Sequence, residues 1–251
     1  MKRNIWITGA SSGIGAAIAN TLSPDLYNFI LSARREERLM ELKNTLENKG
    51  ATVYTYVLDV RDKANVFETV ESAAKEIGNI DILVNNAGLA AGLHTFQDAD
   101  ILDWEQMIST NVNGLLYMSK AVLPFMPKHA NSHIVNIDST AGKEVYPKGN
   151  VYCATKHAVD AISKSMRIDL LDDEIKVTNI CPGMVNTEFS LVRFHGDQEK
   201  ADHVYDGFDE LQAEDIASCI DFCLNLPPHV CVNDLVVTAK AQANSYLTKR
   251  K

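Results

Sequence analysis

Apolar residues along this chain fall into two alternating patterns. Short β-branched runs, apolar at nearly every position, occur at "NIWIT" (4–8), "NFILSA" (28–33), "TVYTYVLD" (52–59), "IDILVN" (80–85), "HIVNID" (133–138), "KVTNIC" (176–181) and "DLVVT" (234–238). Between most of them lie longer stretches, such as "AAIANTLS", "EERLMELKNTLENKG" and "KANVFETVESAAKEIG", whose apolar positions recur every three or four residues. A run that is apolar on both faces suits a strand inside a parallel sheet, and the three-and-four spacing marks the helices that cover it. The pattern predicts an α/β fold: a doubly wound parallel sheet of about seven strands with helices on both faces. One regular alternation, without a Pro/Gly/Ser-rich linker or an internal repeat, predicts a single domain over 1–251; the runner-up boundary is a break near 100.

Three segments depart from this rhythm. Residues 86–100, "NAGLAAGLHTFQDAD", form a loop rich in glycine and alanine, 184–212 read as a charged and aromatic insertion, and the tail 239–251 lacks strong periodicity. Long loops after strand C-termini are where ligands sit in open α/β sheets. The first strand ends in "TGASSGIG", a G-x-x-x-G-x-G turn carrying Gly9, Ser11, Ser12, Gly13, Ile14 and Gly15 into a helix. Glycine lets the backbone approach a ligand, and the free N–H groups of the following helix suit a pyrophosphate. This is the setting of a Rossmann-type dinucleotide site. At the end of the second strand, "LSARREER" puts Ala33 where an NAD-selective site keeps an acid, followed by Arg34 and Arg35. Two guanidinium forks there favour the 2′-phosphate of NADP(H); the competing reading pairs them with Glu36 and Glu37 on the surface.

The charge balance sharpens this. With 33 acidic against 24 basic side chains the net charge is −9. That excludes the basic footprint of a nucleic-acid binder and means any anion site must be built locally. Five cysteines (153, 181, 219, 223, 231) stand at irregular spacing without a C-x-x-C. Cys219 and Cys223 read as small core residues, and a reducing, cytoplasmic compartment is expected. No signal peptide and no apolar run of membrane-spanning length is evident, so no membrane partner is expected. No His/Cys/carboxylate cluster has metal-ligand spacing, and no metal is expected.

"VYCATKHAVDAISKSM" (151–166) stacks Tyr152 one helical turn before Lys156. A free phenol has a pKa near 10, so only about one in a thousand is ionised at pH 7, and bringing it near neutrality takes ~4 kcal/mol. A neighbouring ammonium acts in that direction. The pair reads as an acid–base device or, in isolation, as a surface pair; His157, on another face of that helix, reads as structural.

Four more pieces decide between these: "LVNNAG" (83–88), "STNVNG" (109–114), "NIDSTAG" (136–142) and "CPGMVNTEF" (181–189). With "TGASSGIG" and "YCATK" they resemble the short-chain dehydrogenase/reductase family over nearly the whole chain. The resemblance implies that Tyr152 is the acid/base, that Lys156 assists it and grips the nicotinamide ribose, and that Ser139 hydrogen-bonds the substrate oxygen. It makes Asn111 the residue that holds a water in the proton relay. Cofactor contacts follow at Asp59, Val60, Asn86, Ala87, Gly88, Pro182, Gly183, Val185 and Thr187, besides the glycine turn. Two alternatives stay open: Asp59 could cap the helix that begins near Asp62, and Asn111 could be a helix kink satisfied by backbone.

The run "EFSLVRFHGD" (188–197) and the stretch "STAGKEVYPKGNVYCATK" resemble a narrower branch, the NADP-dependent 3-hydroxy acid dehydrogenases acting on serine, allo-threonine or 3-hydroxypropionate. Such substrates need a local cation. Arg193 is the first candidate and Lys143 the second, with Leu89, Met184, Val185 and Phe189 as apolar wall; the competing role for Arg193 is an ion pair with Asp197 or Glu188. Rival activities are a broad carbonyl reductase and a 3-oxoacyl-carrier reductase, the latter disfavoured because only the terminal "KRK" offers a basic patch. A non-enzymatic NADP sensor typically loses the tyrosine–lysine pair, which is intact here. The resemblance also implies a homotetramer built on long helices spanning 101–126 and 152–172.

Overall fold

The computed structural model describes residues 2–251. All seven expected strands form, within a few residues of the expected limits: β1 (Arg3–Thr8), β2 (Tyr27–Ala33), β3 (Val53–Val57), β4 (Ile82–Asn85), β5 (His133–Ile137), β6 (Lys176–Pro182) and, after a two-residue pair β7 (Val185–Asn186) and β8 (Leu211–Gln212), β9 (Asp234–Val237). The main sheet runs β3-β2-β1-β4-β5-β6-β9, with every neighbouring pair parallel. Strand order reverses between β1 and β4, and a crevice opens there at the carboxyl ends of the strands.

Alternation along β1 shows why both faces must be apolar. Ile5 and Ile7 enter a core with Phe29 and Leu31, packed under α1 (Gly13–Thr21), α2 (Glu36–Glu47) and α9 (Ala213–Leu224) through Ile18, Leu39, Leu42, Ile216 and Ile220. Trp6 points the other way, into a core with Ile30, Leu83 and Ile134 under α3 (Lys63–Ile77) and α5 (Leu115–Val122), where Val66, Val70, Met118 and Val122 meet it. Full burial of such side chains is worth roughly 1.5–3 kcal/mol each. The indole N–H of Trp6 is satisfied by Ser32 Oγ at 2.9 Å.

The helix expected over 101–126 is broken. Here α4 (Ile101–Ile108), capped by Asp100, passes into a π-helical turn over Ser109–Gly114 before α5 begins. An inserted residue of this kind commonly marks a functional position. By contrast, α6 (Asn150–Asp169) is continuous. The insertion at 184–212 carries two short helices, α7 (Phe189–Arg193) and α8 (Gln198–Asp202). The tail folds back along it: Lys251 N donates to Gly207 O at 2.7 Å, and Gln242 pairs with Thr248 as an isolated bridge.

Candidate active site

The ends of β1, β4, β5 and β6 surround one crevice of about 550 Å³ that runs from the glycine turn to Tyr152, Phe189 and Arg193. At its first end, Gly9 and Gly13 have φ of +64° and +50°. A Cβ on Gly15 would lie 2.5 Å from Gly9 O and from Asn86 Nδ2, so the turn closes against the fourth strand only with glycine there. Asn86 ties the two strand ends together, its Nδ2 donating to Thr8 O at 2.8 Å and Gly9 O at 3.2 Å. The backbone N–H groups of Asn86 and Ala87 both reach Thr8 Oγ1 at 3.0 Å. Ser12 is the N-cap of α1, yet its side chain makes no capping hydrogen bond and the first turn holds no acidic residue. The positive end of α1 is therefore left facing the crevice, together with Ser11 and Ile14.

Arg34 and Arg35 line the same end, and neither pairs with Glu36 or Glu37. Arg35 Nη2 donates to Ser12 Oγ at 2.7 Å and Nη1 meets Glu188 Oε2 at 2.9 Å; Arg38 holds the other oxygen of Glu188. Arg34 is exposed and makes no ion pair among the described residues. Asp59 does not cap the next helix: Asp62 does, accepting from Asn65 N at 3.1 Å. Asp59 instead holds Arg61, whose Nη2 lies 2.6 Å from Oδ2, and this keeps the Asp59 carboxyl ionised below its usual range against the opposing effect of burial. Arg61, beside Val60, is a crevice cation that the sequence reading missed.

At the other end, α6 carries Tyr152 and Lys156 inward, 8% and 6% exposed. Lys156 Nζ donates to Ile137 O at 2.9 Å and lies 6.0 Å from the Tyr152 ring centroid. Ser139, just past β5, faces the phenol, accepts from Ala141 N at 3.1 Å and donates to Pro182 O at 3.3 Å. Burial pushes the phenol pKa upward; Tyr146 and Asp138 reinforce this, while Ser139 and Arg193 oppose it. Burial likewise lowers the Lys156 pKa, with Asp138 as its strongest opponent. His157, as expected, serves its own helix, its Nδ1 lying 2.9 Å from Cys153 O.

Asn111 sits in the π-helical turn with its side chain already engaged. Its Oδ1 accepts from Leu89 N at 2.8 Å, and its Nδ2 donates to Leu89 O at 2.8 Å and to Thr155 Oγ1 at 3.1 Å. It therefore fastens the loop after β4 to α6, close to where a Cβ on Gly88 would meet Lys156 Nζ at 3.8 Å. Both hydrogens of the side-chain amide are thus engaged within the protein.

The two substrate-cation candidates separate cleanly. Lys143 is corrected: its Nζ bonds Asp160 and, at 2.7 Å, Asp234, and it does not line the crevice. Arg193 is free of the competing ion pairs, because Asp197 caps α8 and bonds Lys200 while Glu188 serves Arg35 and Arg38. Its Nε donates to Gly92 O at 3.2 Å, and the guanidinium carbon lies 5.6 Å over the rings of both Tyr146 and Tyr152. Phe189 packs edge-on against Tyr152 at 5.6 Å, and Leu89, Met184, Val185 and Thr187 complete the wall. A Cβ on Gly183 would sit 2.1 Å from Gln242 Oε1 and displace that side chain, whose Oε1 accepts from Met184 N at 2.9 Å. Gln242 and Tyr146 are crevice residues the sequence reading passed over, because neither carries a periodic or motif signal of its own.

Residues 3–197 match the family described as short chain dehydrogenase. The chain is 44% identical over 240 residues to the NADP-dependent 3-hydroxy acid dehydrogenase YdfG of Escherichia coli (strain K12), covering 95% of this chain and 96% of that protein. It is 42% identical over 244 residues to sulfoacetaldehyde reductase 2 of Chromohalobacter salexigens, covering 97% and 96%. Among solved structures, the closed form of serine dehydrogenase complexed with NADP+ superposes with a TM-score of 0.91 at 43% identity over 99% of each chain. The match over residues 3–197 and these relatives, spanning nearly the whole of each chain, show that the chain belongs to the short chain dehydrogenase family.

Proposed function

We propose that this chain is an NADP(H)-dependent oxidoreductase that interconverts small 3-hydroxy acids, such as serine, allo-threonine or 3-hydroxypropionate, with their carbonyl forms. One observation carries the reading: a guanidinium without an ion-pair partner among the described residues, Arg193, stands over the ring of a buried tyrosine that faces a serine and a lysine. The names of the relatives agree in kind, since 3-hydroxy acids and sulfoacetaldehyde are all small, anionic and functionalised two atoms from the charge.

The crevice fits the dinucleotide on its own terms. Its turn admits only glycine at 15, the start of α1 is uncapped and free of acids, and Arg34, beside the second strand, makes no ion pair among the described residues. Gly9, Ser11, Ser12, Gly13, Ile14 and Gly15 would hold the pyrophosphate and Arg34 and Arg35 the 2′-phosphate, with Asp59 and Val60 near the adenine. Asn86, Ala87, Gly88, Pro182, Gly183, Val185 and Thr187 would seat the nicotinamide half. The bound dinucleotide supplies or takes up the hydride.

The protein's own residues handle the proton. Burial keeps Tyr152 protonated at neutral pH, so it is ready to donate to a carbonyl oxygen that Ser139 holds in place. In the oxidative direction the phenolate accepts the proton, and Lys156 and Arg193 supply the positive charge that makes this feasible. Lys156 uses one proton on Ile137 O and has two more to offer a ribose hydroxyl.

Absorbance at 340 nm tests the reading directly. NADP+ with 3-hydroxypropionate or L-serine should give NADPH, and NAD+ should be a much poorer acceptor. Arg34→Asp should weaken NADPH binding by about tenfold or more and leave NADH nearly unaffected, given 1.5–3 kcal/mol for a charge-assisted bond; equal weakening of both would count against the assignment. Turnover of neutral aldehydes alone would favour a broad carbonyl reductase.

A homotetramer is part of the same reading, as is a reducing, cytoplasmic setting that suits five free cysteines. Ile101 and Leu102 on α4, with Ile168 on α6 and Leu171 just after it, stand 63–75% exposed and form apolar faces that a partner copy would cover. Light scattering should return about four chain masses at micromolar concentration; a monomer would sink this part.

A further inference from the structure

Asp138 lies between two residues the proton chemistry uses. Ile137 before it accepts the Lys156 ammonium, and Ser139 after it faces the phenol. The Asp138 side chain is 3% exposed. Its Oδ2 accepts from Asn179 Nδ2 at 3.0 Å, its Oδ1 has no partner, and it forms no ion pair among the described residues. The space is made for it: a Cβ on Gly142 would fall 2.5 Å from both carboxylate oxygens.

The charges around it are otherwise spent. On α6, Asp160 is held by Lys143 and Lys164; on β9, Asp234 is held by Lys143 at 2.7 Å and Arg167 at 3.1 Å. On β6, burial pushes the Cys181 thiol up, so it is neutral. Tyr152 on α6 and Arg193 on α7 line the same crevice as Asp138, with the Arg193 guanidinium over the Tyr152 ring. Lys156 is thus a buried ammonium with a single carbonyl acceptor, and the nearby carboxyl not already matched to a cation is Asp138, which burial pushes up and the Lys156 ammonium most strongly holds down. An enclosed ammonium costs several kcal/mol unless a counter-charge accompanies it.

We propose that Asp138 is the buried counter-charge of Lys156, a positioning residue that keeps the ammonium protonated and fixes the pH window in which Tyr152 exchanges its proton. This role rests on the activity proposed above. Ionised Asp138 favours the ammonium and disfavours the phenolate, so removing its charge makes both groups release protons more readily.

The test is the pH dependence of kcat/KM for 3-hydroxypropionate oxidation by wild type and Asp138→Asn. Activity rises as Tyr152 loses its proton and falls as Lys156 does. Both limbs should move to lower pH in the variant, by about one unit. Limbs that stay in place, with or without a lower maximum, overturn the role, because a structural defect lowers the height of the curve without moving it. Asp138→Ser, smaller and equally uncharged, repeats the measurement should the amide disturb folding. A wild type with no turnover on any small hydroxy acid overturns the activity itself, and the role of Asp138 falls with it.

Discussion

Tyr152→Phe should lower kcat by about 10³-fold while changing the NADPH dissociation constant by less than about threefold, with turnover followed at 340 nm and binding by fluorescence titration. The substitution removes one oxygen and leaves the packing: the ring keeps its edge-on contact with Phe189 and its place beneath Arg193. What disappears is the group proposed to hand a proton to an oxygen held by Ser139. Ser139 cannot substitute, because in the proposed role its single proton is used to hold that oxygen. Lys156 is a poor replacement, because its Nζ is tied to Ile137 O and lies 6.0 Å from the ring centroid. Residual turnover within about tenfold of wild type would remove Tyr152 from the mechanism.

Arg193→Ala should raise KM for 3-hydroxypropionate by about 10- to 100-fold, with a smaller change in kcat and none in KM for a neutral aldehyde. A cation that contacts a carboxylate remote from the reacting carbon contributes equally to ground and transition states, and such binding appears in KM. The same substitution removes a charge that favours the phenolate, so the acid limb of the oxidation profile should move to higher pH. Arg193→Lys should restore part of the affinity, since it keeps the charge and loses the fork. An unchanged KM for the hydroxy acid in Arg193→Ala would show that the carboxylate is held elsewhere.

How much of this the sequence disclosed depends on the range of the interactions involved. The seven strands of the main sheet follow from runs of β-branched and aromatic residues, a local property, and all seven were legible. Tyr152 and Lys156 were legible because a helix fixes residues four apart on one face. The choice between Arg193 and Lys143 was not. Lys143 is taken up by Asp160 and Asp234, 17 and 91 positions away, and no window of sequence contains all three. The π-helical turn at 109–114 was hidden for a related reason: "STNVNG" has no composition unlike that of a regular helix, and the extra residue is stabilised by Asn111 reaching back to Leu89 and across to Thr155. Asp138 escaped notice because an acid beside a strand end is ordinary on a surface. Its burial depends on Gly142, Asn179 and Lys156 converging from three different elements.

Glu188 makes two engineering goals interdependent. Its carboxylate fastens Arg35 and Arg38, at the adenosine end of the groove, to the start of the helix that bears Arg193. Retooling position 35 for a cheaper coenzyme would therefore unfasten the segment proposed to hold the organic acid, and under that proposal losses in selectivity and in substrate affinity would arrive together. Position 34 has no such tether, so it is the place where coenzyme choice can be rewritten without disturbing the far end of the groove.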